Sequence, residues 1–261
     1  METGPGFETA LLAVAEQAAR AAGKELLARW RQPIEVSTKT TPTDPVSAAD
    51  LAAEQAIRAV LSEQRPDDAV LGEEGGATGS GALRWVVDPL DGTVNYLYGF
   101  PAFAVSVAVR DASGWLAGVV FDPVSGELYS ASASGEALLS GAQLSPSTCQ
   151  SLAQALIGTG FAYGAQLRSL QAQEVSRVLP RARDIRRIGS AALDMCWCAA
   201  GRLDAYYERD VKEWDIAAGT LICQRAGLTV MPLPAHGGLS AGVLVAPASL
   251  VDELLALVDV S

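Results

Sequence analysis

Histidine is nearly absent from this chain, which has a single one, His236, in a loop rich in proline and glycine. A Ser-His-Asp or Cys-His nucleophile is poorly supported, because such sites need a histidine to activate the attacking side chain. We expect His236 to be a surface loop residue. A G-x-x-x-x-G-K-[ST] loop, which would cradle nucleotide phosphates, is also missing, and this argues against an NTPase.

Cysteine is scarce and lacks the paired spacing typical of zinc sites. The four residues are Cys149, Cys196, Cys198 and Cys223. Two of them lie in AALDMCWCAA, an apolar, helix-like run in which cysteine usually acts as a small core residue. We therefore expect core thiols in a reducing compartment.

Positive charge is also in short supply. The chain has 19 Lys and Arg against 30 Asp and Glu, a net charge of −11. No basic cluster is long enough to follow a phosphate backbone, which argues against general nucleic-acid binding. The one basic group, Arg181, Arg183, Arg186 and Arg187, is short and interrupted. It suggests a solvated helix end and strand edge, or a source of positive potential for an anionic substrate.

Long hydrophobic runs and a recognisable targeting segment are missing as well. No uninterrupted apolar run in the sequence is long enough to span a bilayer. The N-terminal residues do not show a basic segment followed by an apolar stretch, so we expect no secretory signal. These absences predict a cytoplasmic protein without a membrane partner.

The composition suits a compact core. Of the 261 residues, 49% are hydrophobic and 19% are charged, which is typical of a folded protein. This length allows one large domain or two closely packed halves. We predict a single domain over residues 1–261, with halves of about 1–145 and 146–261.

The pattern of apolar residues predicts a mixture of helices and strands. In the first half we expect helices over 7–30 and 47–64, an exposed loop over 37–45, and strands over 104–110, 115–121 and 127–133. In the second half we expect strands over 155–160, 185–188, 205–208, 228–231 and 242–245, and helices over 167–179, 191–200 and 215–226. A last helix capped by Ser249 ends the chain. The mixture favours an α+β layered fold.

One segment, WVVDPLDGTVNY, has the clearest chemical pattern. Its apolar run suits a buried strand that ends at Asp88, because Pro89 cannot extend the ladder. Asp91 follows closely, and two carboxylates at one strand end supply the hard oxygen ligands that Mg²⁺ prefers. A helix start at Gly92 and Thr93 would aim free N–H groups at an anion. Metal and phosphate in one loop predict phosphoryl chemistry, although Asp, Pro and Gly are also common in ordinary turns.

Further acidic segments occur in a compatible order along the chain. They are SAAD ending at Asp50, GEE containing Glu73 and Glu74, and WDIAAG beginning at Trp214. Together with DPLDGT they resemble the inositol monophosphatase family of metal-dependent phosphatases, over almost the whole chain from Lys39 onwards. The resemblance implies an α-β-α-β-α layered sandwich with the metal site between its two halves.

The resemblance also implies a set of metal ligands. Glu73, Asp88 and the carbonyl oxygen of Leu90 would hold a first Mg²⁺. Asp88, Asp91 and Asp215 would hold a second, with a weaker third ion near Glu73. The cofactor would therefore be two to three Mg²⁺ ions per site. Sensitivity to lithium and a homodimer are further implications of the resemblance.

Catalytic and substrate-binding roles follow from the same resemblance. Thr93, with Asp50 behind it, would orient and help deprotonate the attacking water, and Glu73 would join them as a catalytic residue. The N–H groups of Gly92 and Thr93 would bind phosphate oxygens that gain charge during in-line transfer. The implied substrate-binding residues are Glu73, Asp91, Gly92, Thr93, Gly189, Ser190, Ala191, Glu208 and Asp215. Among these, Glu208 would accept hydrogen bonds from sugar hydroxyls.

Each of these acids also has an ordinary structural explanation. Glu73 suits a solvated loop before two glycines, and Glu208 suits a strand-end surface acid. Asp215 is favourable in the first turn of a helix, and Asp50 completes a capping box with Ser47. A shared metal site explains the convergence of the acids better than separate structural roles do.

The residues around these motifs bear on the substrate. VNY after Thr93 is more similar to the GTxNF of inositol monophosphatases than to the GTKEF of nucleotide bisphosphate phosphatases. The resemblance thus implies a Mg²⁺-dependent phosphomonoesterase acting on myo-inositol 1-phosphate or a related polyol or sugar phosphate. The alternatives are a histidinol-phosphate phosphatase on the same scaffold and a regulatory or binding protein that keeps the fold. Asp210 stands where relatives frequently have glycine, which leaves fine specificity open. Glu74 is expected to be a bystander.

Overall fold

The computed structural model describes residues 4–32, 36–38 and 45–259. Its helices are α1 (Pro5–Arg29), α2 (Ala48–Gln64), α3 (Thr93–Leu97), α4 (Ala165–Val178), α5 (Ala191–Ala199), α6 (Glu213–Arg225) and α7 (Ala248–Val258), with a 3₁₀ turn at Leu152–Gln154. Within these ranges, no helix combines the length and the apolar character needed to cross a membrane.

The strands are β1 (Val36–Thr38), β2 (Pro45–Ser47), β3 (Ala69–Gly72), β4 (Gly76–Thr78), β5 (Arg84–Asp91), β6 (Ala104–Arg110), β7 (Trp115–Phe121), β8 (Leu128–Ser132), β9 (Leu138–Leu139), β10 (Ala142–Gln143), β11 (Leu156–Thr159), β12 (Asp184–Arg186), β13 (Ala205–Arg209), β14 (Thr229–Leu233) and β15 (Gly242–Ala246). They form a two-stranded ribbon of β1 and β2 and two larger sheets.

The larger sheet has the strand order β10-β9-β8-β7-β6-β5-β3-β4, with β3 and β5 parallel and the other neighbours antiparallel. Helices α1 and α2 cover one face. Trp85 and Val87 of β5 share a core with Leu26 and Ile57 of these helices, whereas Val86 belongs to the core on the other face. This alternation is that of a strand buried on both sides.

The smaller sheet has the order β12-β11-β13-β15-β14, in which β12, β11 and β13 run parallel. Helices α5 and α6 pack between the two sheets, and α4 and α7 cover the outer face of the smaller one. The resulting layers are helices, sheet, helices, sheet, helices. The predicted α-β-α-β-α sandwich is therefore confirmed.

Local predictions agree well in the regular strands and less well near the DPLDGT loop. The predicted strands 104–110 and 115–121 coincide with β6 and β7. The prediction that β5 stops at Asp88 was wrong, because the strand continues to Asp91. Its register with β6 shifts between these two residues. Pro89 lies within the irregularity, where its missing N–H costs no regular ladder bond.

The predicted loop over 37–45 is only partly described. Its ends belong to β1 and β2, which pair antiparallel with Val36 opposite Ser47, so the loop prediction was wrong there. Residues 39–44 lie outside the described residues. Helix α2 begins at Ala48. The capping box with Ser47 stays a prediction, because the Ser47 side chain is likewise not described.

The cysteines and the last helix give one confirmation and one correction. Cys196, Cys198 and Cys223 are free and buried, as expected of core thiols, and Cys149 is free and half-buried. Ser249 was predicted to cap α7, but Pro247 holds that position. The Ser249 hydroxyl instead donates to the Cys149 carbonyl oxygen at 2.8 Å.

A buried arginine ties the end of β13 to the C-terminal segment. Arg209 is fully buried, and its Nε donates to Glu174 Oε1 at 3.1 Å. One Nη donates to the Val258 carbonyl oxygen at 2.6 Å. His236 was expected to be a surface loop residue; it lies in a loop but is half-buried, with its Nε2 3.1 Å from the guanidinium and 3.1 Å from the Asp259 carboxylate. A desolvated guanidinium needs several partners, which explains the position of the His236 ring.

This buried pair predicts unequal effects for two similar mutations. Glu174→Gln leaves the Arg209 guanidinium short of counter-charge, so we expect the free energy of unfolding to fall by about 3–5 kcal/mol. Glu253→Gln breaks an exposed pair with Arg181 and should cost less than about 1 kcal/mol. Urea denaturation of both variants and the parent compares the losses. Equal small losses would contradict the role given to Glu174.

Candidate active site

A cavity of about 540 Å³ lies where strands of both sheets end. Most of the residues that the sequence singled out line it: Glu73, Asp88, Leu90, Asp91, Gly92, Thr93, Gly189, Ala191, Glu208 and Asp215. Asp50 and Ser190 are buried and do not line the cavity. Each of them instead contacts a residue that does.

The parallel pairing of β3 with β5 positions the first two acids. Gly72, the last residue of β3, lies opposite Val87 of β5. Glu73 and Asp88, which follow these two residues, therefore lie side by side at the same end of the parallel pair. The Glu73 N–H donates to the Val87 carbonyl oxygen at 3.3 Å. The Glu73 carboxyl group is close enough to Asp88 to contribute to the raised pKa of Asp88. Asp88 is buried, and the Leu90 N–H donates to its Oδ1 at 2.9 Å.

Asp91 is fixed by the first turn of α5. Its Oδ2 accepts from the Ser190 hydroxyl at 2.5 Å and from the Ala192 N–H at 2.7 Å. Ser190 is also the N-cap of α5, since its oxygen accepts from the Leu193 N–H at 3.3 Å. The structure therefore places Ser190 behind Asp91, while its neighbours in sequence form the cavity wall.

Asp215 reaches the cavity from the layer between the sheets. It lies in the first turn of α6 and accepts from the Lys212 N–H at 2.7 Å, as half of a capping box. Capping engages one carboxylate oxygen. The ordinary helix-cap role and a position at the cavity wall are therefore compatible in one side chain.

Desolvation sets the charge state of these acids. It raises the pKa of Asp88 well above its ordinary value, and repulsion from Glu73 and Asp91 adds to this. It raises the pKa of Asp91 to about 6. The pKa of Asp215 is also raised, first by desolvation and then by the charge of Asp91. The cavity thus disfavours several negative charges unless a cation compensates them.

The donor set fits a hard divalent cation. Four carboxylates and the Leu90 carbonyl group offer oxygen ligands of the kind that Mg²⁺ takes. In the part of the chain that the structure describes, no three Asp, Glu, His or Cys side chains lie close enough together, as they stand, to hold one metal ion. The assignment of individual ligands therefore stays a prediction.

Thr93 joins the DPLDGT loop to α2. Gly92, with φ of 95°, adopts the left-handed conformation that glycine allows, and α3 starts at Thr93. The Thr93 Oγ1 lies 3.2 Å from Asp50 Oδ1 and 3.1 Å from the Leu90 carbonyl oxygen, both acceptors. A hydroxyl has one hydrogen and two lone pairs. While Thr93 donates to Asp50, its oxygen remains able to accept from another donor.

Glu208 enters the same cavity from the end of β13. The Tyr206 hydroxyl donates to its Oε2 at 2.7 Å. Desolvation raises the pKa of Glu208 to about 7, although the Tyr206 hydrogen bond opposes the shift. A Cβ on Gly160 would lie 2.0 Å from this carboxylate, so the glycine makes room for it. Glu208 is therefore a fixed cavity residue.

The structure adds detail for two residues. Arg187, which the sequence offered as part of a solvated basic group or a source of positive potential, lines the cavity, and its charge lowers the pKa of Glu208. Asp210 has φ of 69°, the left-handed region that favours glycine. The resemblance, which implied a glycine at this position, was a usable signal of this backbone. Glu74, the expected bystander, is not among the cavity-lining residues.

Comparison with known sequences agrees with this geometry. The model of the inositol monophosphatase family matches residues 8–258. An inositol-1-monophosphatase of Mycobacterium bovis is 45% identical over 232 residues, which cover 85% of this chain and 80% of that protein. A Pasteurella multocida protein named Nus factor SuhB is 38% identical over 252 residues, 94% of each chain.

Comparison with solved structures gives the same fold. The crystal structure of the extragenic suppressor protein SuhB from Bartonella henselae superposes with a TM-score of 0.89 at 32% identity, covering 95% of this chain and 98% of that one. The family match spans nearly the whole chain, and the names of relatives support a phosphatase at the level of the family. The chain belongs to the inositol monophosphatase family.

Proposed function

We propose that this protein is a Mg²⁺-dependent phosphomonoesterase that hydrolyses myo-inositol 1-phosphate or a related polyol phosphate. One observation carries the proposal: Glu73, Asp88, Asp91 and Asp215 line a single cavity, and desolvation raises the pKa of the three aspartates. Desolvated acids are costly unless a cation neutralises them. A cavity of about 540 Å³ is also large enough for a small phosphate ester.

The cation ligands in this proposal are all oxygen atoms. Glu73, Asp88 and the Leu90 carbonyl oxygen hold one Mg²⁺, Asp88, Asp91 and Asp215 hold another, and a weaker third ion binds near Glu73. When bound, the ions lower the pKa of water and offset charge on the transferred phosphoryl group. The acidic, all-oxygen donor set supports this assignment.

The protein groups around the reacting phosphate have separate tasks. Thr93 donates its hydrogen to Asp50, so its oxygen can accept from the attacking water and orient it. The N–H groups of Gly92 and Thr93 donate to phosphate oxygens as these gain charge. Because Asp50 is buried, its carboxylate has few competing partners from solvent.

Polyol recognition is assigned to Glu208 and the wall beside it. The Tyr206 hydroxyl occupies one lone pair of Oε2, which holds the carboxylate in place and leaves other lone pairs for vicinal hydroxyls. Gly189 and Ala191 line the same cavity and contribute little side-chain volume, so a ring can approach closely. This arrangement favours a cyclic polyol over a flexible phosphate ester.

A second candidate is a binding role that does not depend on turnover. The observation that favours it is the relative named Nus factor SuhB, which matches 94% of this chain. A binding role would not require the acidic cavity, and substitutions there would leave partner binding intact. The full set of cavity acids in this chain favours hydrolysis as the principal function.

A substrate panel tests the function directly. We expect phosphate release from inositol 1-phosphate to exceed that from histidinol phosphate, fructose 1,6-bisphosphate and adenosine 3′,5′-bisphosphate. Glu208→Gln should weaken transition-state binding of inositol 1-phosphate by about 1.5–3 kcal/mol, because the amide accepts less strongly from ring hydroxyls. The readout is kcat/KM for each substrate.

Glycerol 2-phosphate serves as the control substrate for Glu208→Gln. It is flexible and relies less on that contact, so its kcat/KM should change little. An equal loss on both substrates would assign Glu208 to shaping the metal loop instead of the polyol pocket. Faster release from histidinol phosphate by the parent enzyme would replace the proposed substrate.

Asp50→Asn separates a catalytic from a capping role. If Asp50 acts through Thr93, kcat should fall by about 10²–10⁴-fold while thermal unfolding stays near that of the parent. A pure capping role predicts a stability loss of roughly 1 kcal/mol with kcat intact. Thr93→Ser keeps the hydroxyl and is the matched control, which should retain most of the activity.

A further inference from the structure

Helix α2 has a second buried acid one turn after Asp50. Glu54 is almost fully buried, and its carboxylate accepts from the Glu74 N–H at 2.7 Å and from the Gly75 N–H at 2.8 Å. These two N–H groups directly follow Glu73. The Glu54 side chain therefore holds the loop that presents Glu73 to the cavity.

Arg58 completes this attachment. Its Nε donates to Glu54 Oε1 at 2.7 Å, one Nη donates to the Thr78 hydroxyl at 2.9 Å, and the other donates to the Gly76 carbonyl oxygen at 2.8 Å. One guanidinium thus connects α2 with β4, directly after the loop. Because its donors lie in one plane, it holds these two elements in a fixed relation.

Two glycines of the GEEGG segment have a physical reason in this arrangement. A Cβ on Gly72 or on Gly75 would lie 2.5 Å from Glu54 Oε1. With a Cβ at that distance the Glu54 carboxylate would have to move, so the two glycines leave it the space it occupies. The loop therefore fits around the Glu54 carboxylate.

We propose that Glu54 is a positioning residue of the cation site, which acts by holding the Glu73 carboxyl group beside Asp88. Asp50 and Glu54 are four residues apart on α2 and so lie on one face of the helix. Through these two side chains, that face accepts hydrogen bonds from the Thr93 hydroxyl and from the loop that follows Glu73. The inference rests on the proposed function, because it requires Glu73 to bind a cation. Groups that orient metal ligands usually affect affinity strongly.

The test is the binding of Mg²⁺ alone, measured by isothermal titration calorimetry on the full chain. In Glu54→Gln, one carboxylate oxygen becomes an NH₂ group that cannot accept, so a loop N–H loses its partner. We expect Mg²⁺ affinity to fall by about 10–100-fold. In a Glu73→Gln background the same substitution should change affinity by less than about twofold, because the ligand through which Glu54 acts is gone.

Asp122→Asn is the matched control. Asp122 is also buried, and it accepts from the loop N–H groups of Val124 at 2.8 Å and Ser125 at 3.1 Å, but it does not line the cavity. It should lose stability and keep the parent affinity for Mg²⁺. A comparable loss of affinity in this variant would show a general effect of stability and overturn the proposal.

Other outcomes are equally decisive. Unchanged Mg²⁺ affinity in folded Glu54→Gln, or the same loss with and without Glu73, would overturn the positioning role. If Glu54→Gln does not fold, Arg58→Gln takes its place, and its loss of affinity must likewise disappear in the Glu73→Gln background. Absence of Mg²⁺ binding by the parent and by Asp122→Asn would refute the proposed cation site itself, which is a different failure.

Discussion

Repulsion among acids in one desolvated cavity is the constraint on which this structure depends. Desolvation raises the pKa of the buried Asp88, and the charges of Glu73, Asp91 and Asp215 raise it further. Such a cluster opposes folding when it is ionised and has no counter-charge. A protein keeps this arrangement when a bound cation reverses the electrostatic balance, as divalent ions do in carboxylate sites.

The layered fold brings these acids together from distant parts of the sequence. Parallel pairing of β3 and β5 sets Glu73 beside Asp88, and the first turns of α5 and α6 hold Asp91 and Asp215 in the same cavity. Asp88, Asp91 and Asp215 each accept a hydrogen bond from a backbone N–H. These bonds limit the number of arrangements available before any cation binds, which is the usual basis of a preorganised site.

The sequence predicted the motif-based part of the site and missed the part that depends on tertiary contacts. Tight spacing within DPLDGT was enough to identify Asp88 and Asp91, and alternation of apolar residues located β6 and β7. The prediction that Pro89 ends the strand was wrong, because a register shift between β5 and β6 accommodates Pro89 within β5. The contact of Ser190 with Asp91 and the burial of Arg209 join residues far apart in sequence. The homodimer, the lithium sensitivity and the cytoplasmic location stay predictions.

The most direct test of the account is hydrolysis of inositol 1-phosphate by protein freed of metal with EDTA, dialysed, and then titrated with Mg²⁺. We predict no phosphate release before the titration and a saturable recovery as Mg²⁺ is added, because the carboxylate cavity needs the cation both for its own charge balance and for the chemistry. Sustained hydrolysis in EDTA would contradict the account.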